Sequence, residues 1–107
     1  MAESTGRVTV AQEVISTIVR LTTIGVEGVS RFGGRPGLGR SSDGVHIAVK
    51  DNQVEVDVYV IVKPETNMRE VATQIQSDIA RSIEEMVGMQ VSTVNVHIQD
   101  VEPPAGT

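Results

Sequence analysis

The chain predicts an α+β fold: a two-layer sandwich with two helices packed on one face of a small mixed sheet, in the order (β)-α-β-β-β-α-β. Three observations predict it. From Asn67 to Gly88 apolar residues recur every three or four positions, as on one side of an amphipathic helix. A second, weaker stretch of that kind lies near the start of the chain. Elsewhere apolar and polar residues alternate with a period of two, the signature of half-buried strands. A helix stripe and a half-apolar sheet each need a cover, and they supply it to one another.

Taken in order, residues 1–6 read as a loose N-terminus and residues 7–101 as a single domain. Arg7–Thr9 is expected to be a short edge strand. Thr9 resembles an N-cap with Gln12 three residues on, a capping-box spacing. The first helix is then expected from Val10 or Ala11 to about Thr23. Its apolar set is Ala11, Val14, Ile15, Ile18, Val19 and Leu21, and Gly25 stops it. Val26–Ser30 reads as a turn leading into a short strand. Residues 32–42 hold too much Gly, Ser and Pro for regular structure and read as a flexible loop.

Val45, Ile47 and Val49 alternate with His46, Ala48 and Lys50. Val54, Val56, Val58 and Val60 alternate with Glu55, Asp57, Tyr59 and Ile61. Asp51 and Asn52 between them tolerate positive φ, so the two runs form a hairpin. The main helix runs from Met68 to Val87, about 30 Å at 1.5 Å per residue. Asn67 caps its start, with Glu70 at the capping-box position, and Gly88 ends it. Val94, Val96 and Ile98 then alternate with Asn95, His97 and Gln99 in a last strand. That strand follows a helical crossover, so it should run parallel to Val54–Val60. Residues 102–107, with two prolines, read as a loose C-terminus.

Composition narrows the function. Nine basic against fourteen acidic residues give a net charge of −5, which repels phosphate polymers, so no nucleic acid is expected as partner. One Phe, one Tyr and no Trp leave no rings for stacking bases or sugars. No cysteine is present, which removes disulfides and thiolate chemistry. The N-terminus has no secretory pattern and no run of 18 apolar residues occurs, so the expected location is cytoplasmic without direct membrane insertion.

Five pieces in this order resemble one family: Gly-Arg-Val-Thr-Val before Glu13-Val14-Ile15; Gly25-Val26-Glu27-Gly28-Val29; Asp43-Gly44-Val45; Asn67-Met68-Arg69-Glu70-Val71-Ala72; and Ile83-Glu84-Glu85-Met86-Val87-Gly88-Met89-Gln90-Val91 running into Val94–Ile98. Together they resemble the alkaline shock protein, or Gls-type, envelope stress proteins of Gram-positive and related bacteria, over residues 6–101. The resemblance implies a non-enzymatic scaffold or interaction protein tied to cell-envelope homeostasis and stress. It also implies protein partners, among them a small membrane-anchored protein that holds some members at the inner face of the membrane, and self-association. It brings no catalytic residue and no cofactor. The long charged tails of some members are missing here.

Candidate site residues fall in two groups. On the polar phase of the strands lie His46, Asp57, Tyr59, Asn95 and His97, the expected partner-binding face, with Lys50, Glu55 and Gln99. Tyr59 is the ring expected there, and Tyr buries area at interfaces with little entropy loss. His46 and His97 with a nearby carboxylate give an alternative, metal-binding reading, although a metal needs at least three converging ligands. Arg31, Arg35 and Arg40 sit in and beside the Gly-rich loop and are candidates for anion contact. They motivate a second alternative, a nucleic-acid-binding α/β module. The loop lacks the Gly-Lys-Ser/Thr of a P-loop. No Ser sits on a strand-to-helix elbow, so the chain is expected not to be an enzyme.

Overall fold

The computed structural model describes residues 6–34 and 44–103. They form α1 (Gln12–Ile24), β1 (Val29–Phe32), β2 (Val45–Lys50), β3 (Gln53–Val62), α2 (Met68–Met86) and β4 (Gln90–Val101). The expected α+β order holds, with one strand fewer at the start. Arg7–Thr9 is irregular and exposed rather than a strand. Phe32 belongs to β1, so the expected loop begins after it.

β3 is the axis of the sheet. β4 runs parallel beside it along its whole length, from Gln53↔Gln90 to Val62↔Val101. β2 pairs antiparallel with its first half, Val45↔Val58 to Lys50↔Gln53. β1 pairs antiparallel with its last residues, Val29↔Val62 to Phe32↔Val60. β1 and β2 therefore share, end to end, the edge opposite β4. They meet at Tyr59, whose carbonyl accepts from the Gly33 N–H and whose N–H donates to the Gly44 carbonyl, both at 2.8 Å. The hairpin turn is as expected, with Asp51 at φ +53° and Asn52 at φ +65°.

The alternation in β3 decides which face is greasy. Val54, Val56, Val58, Val60 and Val62 are all fully buried. Over them lie Ile15 and Val19 of α1 and Val71, Ile75, Ile79 and Ile83 of α2, in one core with Val26, Val29 and Ile47. The β-branched side chains are stiff, so this core is ordered at low rotamer cost. Truncating Ile75 or Ile79 to Ala would remove roughly 2–5 kcal/mol.

α2 starts as read: the Asn67 side chain accepts from the Glu70 N–H at 3.0 Å. It ends before Gly88, at φ +81°. Met68 and Met86, placed by periodicity on or beside the buried stripe, hang off the ends of the helix and are exposed, while Met89 packs on the core. α1 differs more. It begins at Gln12 with Ala11 as an N-cap that offers no side-chain bond, so the Thr9–Gln12 capping box does not form. The Gln12 amide is used elsewhere, donating to the Ile47 carbonyl at 2.7 Å. Val14 and Leu21, expected inside, are exposed, and Thr23 is buried instead. On the far edge the Gln76 amide donates to the Val94 carbonyl at 3.0 Å. Two glutamines from the helices thus each occupy a carbonyl on an outer strand, β2 or β4, which blunts unwanted strand pairing.

Two substitutions test this packing. The Thr23 hydroxyl is fully buried without a hydrogen-bond partner among the described residues. Thr23→Val keeps the shape and removes the unmet polar group, so it should raise unfolding stability by about 1 kcal/mol in a urea titration. Gly28 has φ +104°, and a Cβ there would stand 2.7 Å from Val71 Cγ2 and 3.0 Å from Thr66 Cγ2. Gly28→Ala should cost roughly 1–3 kcal/mol by the same measurement.

Candidate interaction face

Both helices cover the valine face of β3, so the opposite face is left to its own side chains. Register places them in rows. His46 of β2, Asp57 of β3 and Asn95 of β4 form one row, and Tyr59 and His97 begin the next. Ala48, Glu55 and Thr93 form a row toward the hairpin turn, with Lys50, Gln53 and Gln90 beyond it.

The centre of this face is Asp57. Its Oδ1 accepts from the Asn95 amide at 3.1 Å and lies 3.1 Å from His97 Nε2. The His97 ring stacks on Tyr59 with centroids 4.3 Å apart and 9° between the planes. Parallel register puts Tyr59 and His97 side by side, while the bond to Asp57 uses the diagonal neighbour two residues back on β3. Each ring fixes the other, and Asp57 fixes both His97 and Asn95. The group is half-exposed, so its worth to stability is about 1 kcal/mol or less. Its value lies in presenting an aromatic surface and a carboxylate in one arrangement before any partner arrives.

The other expected residues are less closely joined. β3 stands between the strands of His46 and His97, and His46 is exposed opposite Asp57. Among the described residues no three His, Cys, Asp or Glu side chains converge to hold a metal ion. Gln99, at a register shift between Val60 and Ile61, reaches back to the Gly34 carbonyl. Arg31 is exposed on β1. Arg35 and Arg40 lie outside the described residues, although the segment that carries them leaves and rejoins the sheet beside Tyr59.

Sequence reading missed an open groove of about 500 Å³ between the Gly25–Gly28 turn and α2. Glu27, Glu70 and Asp78 line it, so it is acidic. Asp78 is already engaged, accepting from Arg81 and Gln74 at 2.8 Å each. A second groove, about 410 Å³, lies between Val8–Val10, Val49 and Val87–Met89. Nothing in the local sequence marked either, because each is made by segments distant along the chain.

An α+β sandwich with one sheet face uncovered and a preset aromatic–carboxylate cluster on it is the class that this geometry defines. The chain belongs to the alkaline shock protein 23 family, described as having a cell envelope-related function, whose model matches residues 1–103. Among its relatives, YqhY of Bacillus subtilis (strain 168) is 27% identical over 105 residues, spanning 91% of this chain and 78% of YqhY. YloU of the same organism is 32% identical over 60 residues, 56% of this chain and 50% of YloU. Solved structures of the MamM CTD share the fold. A histidine-to-alanine variant superposes with a TM-score of 0.57 at 13% identity, covering 86% of this chain and all of that one. A zinc form gives 0.56 at 13%, covering 90% and 92%. Identity that low speaks for the fold alone.

The cluster itself is testable. Asp57→Ala should change unfolding stability by no more than about 1 kcal/mol. It should nevertheless shift and broaden the His97 and Tyr59 ring resonances in a proton NMR spectrum, because the stack loses its anchor.

Proposed function

We propose that this chain is a non-enzymatic interaction protein of the cell envelope, acting through the uncovered sheet face on a protein partner. The observation that carries the reading is the Asp57–Asn95–His97–Tyr59 cluster, ordered in the free protein at the middle of that face. Tyr is among the residues that dominate binding energy at interfaces, and a rigid ring loses little freedom when covered. A carboxylate held beside it favours a partner that presents a hydrogen-bond donor or a cation there.

Family membership supports the envelope setting. In this reading the protein works in the cytoplasm, at the inner side of the membrane. Contact with the membrane runs through a small membrane-anchored partner: no described helix is long and apolar enough to cross. Self-association is part of the same proposal.

Affinity capture from the native host tests it. The wild-type protein should recover an envelope protein, and Tyr59→Ala or Asp57→Lys should reduce that recovery at least about tenfold while thermal unfolding stays near wild type. Equal recovery by wild type and both variants would remove the sheet face from the interaction.

A further inference from the structure

α1 carries two apolar faces where a surface helix ordinarily carries one. Ile15, Val19 and Thr23 point into the core. On the other side Val14, Leu21 and Ile24 are 48%, 65% and 43% exposed, with Val10 at 38% just ahead of the helix. With Thr17 these residues are spaced 4, 3, 4 and 3 apart, the repeat of a helix–helix seam. The Thr17 hydroxyl donates to the Glu13 carbonyl at 3.0 Å, so that position carries no unmet polar group.

We propose that this outer face of α1 is a self-association surface, and that its occupant is α1 of a second copy packed antiparallel. The inference is independent of the sheet-face reading, since the two surfaces lie on opposite layers of the molecule. Charge complementarity selects the occupant and its direction. Glu13 and Arg20, the ionisable residues of α1, flank the stripe on the same side, seven residues apart. In an antiparallel pair with Val14 beside the partner's Thr17 and Val10 beside the partner's Leu21, Glu13 comes alongside the partner's Arg20. The reciprocal pair follows by symmetry. A parallel pair would set Glu13 against the apolar Ile18 flank and make neither contact. An anionic lipid surface fits worse, because the helix has one base and the chain a net charge of −5.

The seam is one helix long, about 20 Å. It falls below the roughly 800 Å² per partner of a standard stable interface, so the pairing belongs to the transient, micromolar class.

Sedimentation equilibrium of the full chain, from low micromolar to near-millimolar concentration, tests the proposal. A reversible monomer–dimer equilibrium is expected. Leu21→Glu should weaken it at least about tenfold with the thermal midpoint unchanged. Glu13→Arg should weaken it too, and the double variant Glu13→Arg/Arg20→Glu should restore it. A wild type that stays monomeric throughout would overturn the proposal, as would a dimer indifferent to Leu21→Glu. Loss of the dimer in Tyr59→Ala would assign association to the sheet face instead and overturn it equally. A monomer that binds phosphatidylcholine–phosphatidylglycerol vesicles, and loses them on Leu21→Glu, would give the stripe to lipid and likewise overturn it.

Discussion

The structure depends on five valines of one strand. Val54, Val56, Val58, Val60 and Val62 fill the underside of both helices and leave no solvent there. Because side chains alternate strictly along a strand, burying this set sends Glu55, Asp57 and Tyr59 to the other side. A slip of one residue would bury two carboxylates and expose the valines, so the register is strongly held. The position of every residue on the open face follows from that choice.

β3 also sets the neighbourhood. It has β4 on one edge and both β1 and β2 on the other, so a single strand lies between all the polar side chains that matter. Asp57 can therefore gather Asn95 and His97 from β4 while His46 stands across on β2. The same arrangement brings the ends of the Arg35–Arg40 segment to the backbone of Tyr59. Backbone pairing, rather than side-chain chemistry, is what concentrates these groups.

How much of this was legible depends on range. Asn67, Asp51–Asn52 and Gly88 announced their roles because capping and turn geometry are local. The period of two put His46, Asp57, Tyr59, Asn95 and His97 on the polar side without knowledge of strand order. That His97 stacks on Tyr59 and bonds Asp57 required β4 to be beside β3, which alternation cannot state. β4 proved longer than its clean alternation, because shifts near Ser92 and Gln99 interrupt the period while the pairing continues. α1 misled for a different reason. A helix with apolar residues on two sides gives no unique inward direction, and Gln12 left its expected capping place for a carbonyl on β2. The acidic groove beside Gly28 left no trace in any one segment, since Glu27 and Asp78 are brought together only by folding.

The stacked ring has a spectroscopic consequence. Tyr59 is the sole tyrosine and the chain has no tryptophan, so near-ultraviolet absorption and intrinsic emission arise almost wholly from one phenol. That phenol sits against an imidazole in the middle of the uncovered layer. The protein thus carries a built-in optical probe at the place a visitor would touch, silent about the interior and sensitive to whatever lands outside.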